Sequence, residues 1–195
     1  MPIIDINHSD KILYIVAGCN GAGKSTAFRN LLSKQLDNPV FINADDIARD
    51  MCPENVESVA FAAGRIMLTQ VDEQLKKDES FCIETTLSTK SYTNLVNKAH
   101  NNGFKVALFY YWLESPELAI ARVAQRVAEG GHNIPEDIIR RRYSRGIYNL
   151  MHLFIKNVDY WKIINNSGLV PQDIAKGAIE ISNAQQFDYL AHYEK

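Results

Sequence analysis

Between residues 18 and 26 the chain reads Gly18-Cys19-Asn20-Gly21-Ala22-Gly23-Lys24-Ser25-Thr26. Glycines at the first and sixth positions let successive backbone N–H groups curl around an anion. Lys24 adds a mobile positive charge, and the Ser25 hydroxyl suits a Mg²⁺ ion. A helix beginning at Lys24 would point the positive end of its dipole at the same anion. The run therefore predicts a triphosphate site for ATP or GTP with Mg²⁺. Gly18, Asn20, Gly21, Ala22, Gly23, Lys24, Ser25 and Thr26 would bind the cofactor, with Ser25 as the metal ligand. A glycine-rich turn that merely joins strand to helix would leave the Gly-Lys-Ser-Thr order without a reason.

Two further segments bring carboxylates. Phe41-Ile42-Asn43-Ala44-Asp45-Asp46 follows one apolar run and Cys82-Ile83-Glu84-Thr85-Thr86-Leu87-Ser88 follows another. Both place acids at strand carboxyl ends, where ligands bind in open α/β sheets. A phosphoryl acceptor needs a carboxylate to orient its hydroxyl and take its proton. Asp45 is the first choice for that base and Asp46 the second. The competing reading makes either one the cap of a helix starting near Ile47. Glu84 would meet Mg²⁺ through water or bind acceptor hydroxyls. Thr85 and Thr86 would contact substrate, although at least one of Thr85, Thr86 and Ser88 is expected to cap the next helix.

The third constellation is basic. Arg122 and Arg126 stand one helical turn apart, and Arg140, Arg141, Arg142 and Arg145 crowd a second helix. Arginines can neutralise charge spreading over a transferred phosphoryl group. Consecutive helical positions diverge by about 100°, so roughly two of the six belong to the surface. Arg126 and Arg142 are the expected catalytic pair, with Arg122 and Arg141 as substrate contacts. His132, in the turn Gly130-Gly131-His132-Asn133-Ile134-Pro135, would either touch a phosphate or face solvent as an ordinary loop histidine. Tyr110, Tyr111 and Trp112 read as core or pocket wall.

These groups need a scaffold, and apolar runs at 11–17, 40–43, 81–84, 105–112 and 160–164 alternate with helical patterns. That alternation predicts an α/β, three-layer fold with a mostly parallel five-stranded sheet. After the loop, Phe28, Leu31, Leu32 and Leu36 share one helical face. Val56, Val59, Ala63, Met67, Val71 and Leu75 mark a long helix over about 54–78. Asn94, Leu95, Val96 and Ala99 mark another, which Gly103 should end. Ser115-Pro116 opens a helix to about Glu129 with an N-cap and a first-turn proline. Pro135-Glu136-Asp137 opens a further one carrying Ile138, Ile139, Tyr143, Leu150, Met151, Phe154 and Ile155. The two arginine-bearing helices, about 116–146, read as a movable lid. A short hairpin over 174–181, turning at Lys176-Gly177, and a helix over 185–193 close the chain.

At 195 residues and 46% hydrophobic content the chain suits one domain, 1–195, with a full core. A net charge of −2 offers no broad attraction to nucleic acid or membrane, so anion binding must be local. Cys19, Cys52 and Cys82 have no metal-ligand spacing, and their odd number suggests a reducing compartment. Residues 1–11 lack a signal-peptide core, and nowhere do about 18 apolar residues run together. A cytoplasmic protein acting on small molecules is expected.

Taken together, the loop at 18–26, Ile42-Asn43-Ala44-Asp45, Ile83-Glu84-Thr85-Thr86 and the stretch from Gly130 to Pro135 leading into Arg141-Arg142-Tyr143 resemble the zeta-toxin family of P-loop kinases. The likeness covers about 12–167. It implies ATP-dependent phosphoryl transfer in which Asp45 acts as base toward a hydroxyl of a UDP-activated amino sugar. It also implies two lid arginines on the γ-phosphate and an antitoxin protein as a candidate partner. One of those arginines aligns with Arg122 or Arg126, whereas the second family position falls near His132, across a shorter segment. Two other functions compete with a small-molecule kinase: a regulatory ATPase or switch, which would need a partner surface, and a nucleoside or polynucleotide kinase, which the net charge disfavours.

Overall fold

In the computed structural model the described residues are 11–27, 39–177 and 180–194. Phe28, Leu31, Leu32 and Leu36 fall outside them, as do Ala178 and Ile179 of the hairpin.

Strand β1 (Ile12–Ala17) is buried along its whole length, as its unbroken apolar run requires of a strand covered on both faces. It lies between β3 (Phe81–Thr85) and β4 (Lys105–Trp112), parallel to both, with β2 (Val40–Asn43) outside β3 and β5 (Tyr160–Asn165) outside β4. Register brings the carboxyl ends level: Ala17 pairs with Thr85 and with Tyr110, and Glu84 is flanked by Val16 and Asn43. These five strands form the expected parallel unit.

The C-terminal hairpin is larger in consequence than its sequence suggests. Strand β6 (Gln172–Lys176) runs antiparallel to β5, and β7 (Glu180–Ile181) antiparallel to β6, so one sheet of seven strands results, ordered β2-β3-β1-β4-β5-β6-β7. The expected five-stranded count is corrected on that ground. Gly177, at φ 57°, takes the left-handed conformation the turn needs.

Helices fill the connections. Described are α1 (Lys24–Ala27), α2 (Ala44–Met51), α3 (Ala60–Gln74), α4 (Tyr92–Asn101), α5 (Pro116–Ala128), α6 (Glu136–Asn149) and α7 (Ala184–Ala191). The expected 54–78 helix divides into a 3-10 turn, Val56–Val59, and α3, with turns from residue 75 onward. Asn55 caps the 3-10 turn through Ser58 N, which fixes the break. Gly103 ends α4 as predicted: its N–H reaches the His100 carbonyl and Phe104 N reaches that of Ala99. Ser115 accepts from Leu118 N and Pro116 opens α5, again as expected. Helix α6 stops at Asn149, where a π turn, Leu150–Phe154, replaces the predicted α-helical continuation. No helix among the described residues is long and apolar enough to cross a membrane.

Candidate active site

The loop after β1 is built on close backbone contacts. Gly18 has φ 144°, and a Cβ there would stand 2.3 Å from the Tyr111 carbonyl oxygen. Gly23 has φ 80°, with Asn166 Nδ2 2.6 Å from the place a Cβ would take. Asn166 donates from that atom to the Ala22 carbonyl at 2.8 Å, fastening the segment after β5 to the loop. The loop thus sits against β4, α5 and the β5 end, and only glycine permits the approach. Cys19 is buried, and that burial pushes its thiol up to about 11 against the pull of Lys24. It is a packing residue and not a nucleophile.

Lys24 and Ser25 both meet Glu84. Lys24 Nζ donates to the Cys19 carbonyl at 2.9 Å and lies 3.6 Å from Glu84 Oε1. Ser25 Oγ donates to Glu84 Oε2 at 2.7 Å. Lys24 and Glu84 are both buried, so each needs the other's charge.

The capping alternative for Asp45 is corrected by Asn43. The Asn43 side chain accepts from Asp45 N at 2.9 Å and is the N-cap of α2. Asp45 keeps its carboxylate free of that duty. Asp46 pairs instead with Arg49 at 2.9 Å on the half-exposed side of the helix and does not line the cavity described below. The expected cap among Thr85, Thr86 and Ser88 is absent too: α4 starts after Ser91. Thr85 Oγ1 instead accepts from Leu87 N at 3.0 Å, and Thr86 and Ser88 hydroxyls pair at 2.9 Å. Leu87 has φ 58°, the positive-φ non-glycine among the described residues, and Asn149 Nδ2 holds its carbonyl at 2.8 Å. A strained turn, stabilised from α6, therefore presents Thr86.

A cavity of about 450 Å³ opens beside these groups. Lys24, Asp45, Glu84, Thr85, Thr86, His132 and Arg142 all line it. Its outer wall comes from the 3-10 turn and α3, including Glu57, Phe61, Gly64, Arg65 and Leu68. Phe61 is 79% exposed, and the Arg65 guanidinium lies 5.1 Å from its ring centre. Sequence reasoning missed this wall. An exposed aromatic beside an arginine one turn on was the available signal.

The arginines divide sharply. Arg142 Nη1 donates to Asn20 Oδ1 at 3.2 Å, which ties α6 to the phosphate loop. Arg126 Nη2 donates to the His132 carbonyl at 3.1 Å, while its buried Nε has no partner among the described residues. Burial lowers the Arg126 guanidinium from its usual value, opposed by Asp45 and Glu84. Burial, with Arg126 second, likewise lowers the His132 imidazole. Arg126 does not line the cavity, unlike Arg142. Arg122 lies outside the lining as well and donates to the Ser167 carbonyl at 2.9 Å, and Arg141 is exposed away from the cavity. Neither is brought to Asp45. Arg140 pairs with Glu117 at 2.6 Å and Arg145 is exposed, so with Arg141 three of the six are surface residues where about two were expected. Tyr110, Tyr111 and Trp112 are core, as anticipated.

A mostly parallel sheet whose carboxyl edge carries a glycine-rich loop, two strand-end acids and an arginine from α6 has the architecture of a P-loop kinase fold. Residues 5–168 match the zeta toxin family, and the chain belongs to it. An uncharacterised protein of Haemophilus influenzae is 36% identical over 126 residues, covering 65% of this chain and 88% of that one. Among solved structures, a chain of the AvrRxo1-ORF1:ORF2 complex with ATP superposes with TM-score 0.76 at 15% identity. The match takes in 97% of this chain and 66% of that one, so the chain spans less than two thirds of that protein's length. The PezAT chromosomal toxin–antitoxin system of Streptococcus pneumoniae gives TM-score 0.69 at 17% identity, covering 100% of this chain and 83% of that one. At these identities the two structures show a shared fold.

Proposed function

We propose that this chain is an ATP-dependent kinase that transfers the γ-phosphate to a hydroxyl of a small molecule. One observation carries the reading: Asp45, Lys24 and Glu84 line one cavity of about 450 Å³ immediately beside the phosphate loop. A base, a phosphate-holding cation and room for an organic acceptor meet there. The family and the ATP in the AvrRxo1-ORF1:ORF2 structure support ATP as donor.

Asp45 would orient the acceptor hydroxyl and take its proton. Lys24 and the loop amides would hold the β- and γ-phosphates, and Arg126 and Arg142 would meet charge developing on the phosphoryl group. Both helices are fastened to the sheet, by Tyr143 Oη on the Leu113 carbonyl at 2.8 Å and by Arg122 on that of Ser167. Closure of the lid would therefore fall to residues 129–135 and to arginine side chains.

The donor set suits Mg²⁺. Ser25 offers a hydroxyl and Glu84 a carboxylate, both hard oxygen ligands, and no cluster of three or more metal-binding acids, histidines or cysteines occurs among the described residues. Mg²⁺ commonly takes one or two protein oxygens, with phosphates and water completing its shell. It would neutralise phosphate charge at Ser25, with Glu84 reaching it through water.

A sugar nucleotide is the acceptor to test first. The Phe61 ring offers a flat apolar shelf on the cavity wall and Arg65 a cation beside it. An antitoxin protein is the proposed partner, by family membership and the PezAT likeness. The test incubates purified protein with labelled ATP, Mg²⁺ and a metabolite extract, with Lys24→Ala as control. A new phosphorylated metabolite supports the kinase, whereas ADP release without one favours a switch. Asp45→Asn should lower turnover about 10²- to 10⁴-fold with nucleotide affinity little changed. Near-normal turnover would remove Asp45 from its role.

A further inference from the structure

Arg142 has two polar partners and also faces the cavity. Nη1 donates to Asn20 Oδ1 in the phosphate loop, and Nη2 lies 3.8 Å from Glu57 Oε1 in the 3-10 turn. Arg142 and Glu57 line the cavity together with Lys24. The Arg142 side chain is only 18% exposed, so few other groups can satisfy it.

Glu57 is presented by a built turn. Val56 is buried against Ala48 and Ala63, tying the turn to α2 and α3. Asn55 accepts from Ser58 N and takes the Ser58 hydroxyl on its carbonyl at 2.6 Å. The backbone of Glu57 is thereby held on the cavity wall, with its half-exposed carboxylate within reach of Arg142.

We propose that Glu57 is a positioning residue that holds Arg142 on the acceptor side until a γ-phosphate draws it off. Asn20 and Glu57 together hold the guanidinium between the loop and the acceptor cavity. A triphosphate has a γ-phosphate that competes for the guanidinium, and a diphosphate has none. Discrimination of ATP from ADP is thus weakened by the Glu57 charge, and an acceptor hydroxyl donating to Glu57 would release Arg142 when phosphoryl transfer can proceed. The inference rests on the kinase reading for the place of the triphosphate.

The test needs no acceptor. Dissociation constants for ADP and for β,γ-imido-ATP, each with Mg²⁺, are measured on the full chain for wild type, Glu57→Gln, Arg142→Gln and the double variant. The Glu57 pair is partly exposed and long, so its release should raise triphosphate preference about two- to five-fold. Arg142→Gln should lower that preference, and adding Glu57→Gln to it should change nothing further.

An unchanged preference in Glu57→Gln overturns the proposal. So does an equal gain on the Arg142→Gln background, which would mean that Glu57 repels the nucleotide directly. Failure of the wild type to bind either nucleotide sinks both this proposal and the kinase reading. Binding with the expected preferences but no phosphorylated product sinks the kinase reading alone.

Discussion

Ser25 Oγ donates to Glu84 Oε2 at 2.7 Å, so the phosphate loop and β3 touch through the two side chains best placed to meet a metal-bound triphosphate. The other oxygen of Glu84 faces Lys24 at 3.6 Å. One carboxylate thus serves both Ser25 and Lys24. With nucleotide, phosphate would provide the counter-charge for Lys24 and free Glu84 to turn to the metal shell.

Glu84→Ala should therefore destabilise the nucleotide-free protein by about 3 kcal/mol, because it leaves Lys24 buried with a single carbonyl partner. Mg·ATP should raise the melting temperature of this variant by more than that of wild type, since the triphosphate replaces the missing charge. Thermal melts with and without nucleotide check both halves. Equal ATP shifts in the two proteins would count against the exchange.

Asp45 and Asp46 make a matched pair for assigning the base. They are adjacent in α2, yet only Asp45 lines the cavity while Asp46 pairs with Arg49 at 2.9 Å. Asp46→Asn should leave turnover within about twofold and stability within about 1 kcal/mol, as for an exposed pair. Asp45→Asn should lose activity with its fold intact. Steady-state rates and melts of the two variants decide it, and a larger loss at Asp46 would reverse the assignment.

That pair also shows where sequence reading stops. The phosphate loop was legible because its chemistry needs contiguous residues in a fixed order, and the parallel strands because buried runs carry their own signal. Whether Asp45 caps the helix depended on Asn43 taking the capping bond, a choice between neighbours that residue types alone leave open. Arg122, Arg126, Arg141 and Arg142 have the same chemistry, and only helix rotation against the sheet separates the one on Asn20 from the one on Ser167. Glu57 and Phe61 belong to no motif, and their place on the cavity lining comes from the 3-10 turn at Val56 and the start of α3. The π turn after Asn149 breaks the 3.6-residue period on which the longer helix was predicted.

His132 makes stability depend on pH. Its burial and the nearby Arg126 lower its imidazole below the ordinary 6.5. The unfolded chain then binds the proton more readily than the folded one, so this contribution is fully present above about pH 6.5 and is lost as pH falls through the folded value. His132→Asn should flatten the fall in melting temperature between about pH 7 and pH 5.5. Parallel slopes for variant and wild type would show that the acid-sensitive group lies elsewhere.

Gly146 tests how the site is supported from α6. A Cβ there would fall 2.8 Å from both the Thr86 carbonyl oxygen and Tyr110 Oη, so the helix packs directly on the turn that follows β3. Tyr110 is wholly buried and cannot swing away, and the Thr86 carbonyl belongs to the strained turn that Asn149 holds through Leu87. Gly146→Ala must push α6 outward, and overpacking of this kind costs about 1–3 kcal/mol. The same shift would draw Arg142, one turn earlier on α6, off Asn20 and move Thr86 within the cavity. Turnover should fall by more than the folded fraction does, with KM for ATP raised. Denaturant unfolding separates the two effects, because a rate that follows the folded population alone would leave α6 as a stabilising element with no part in placing the site.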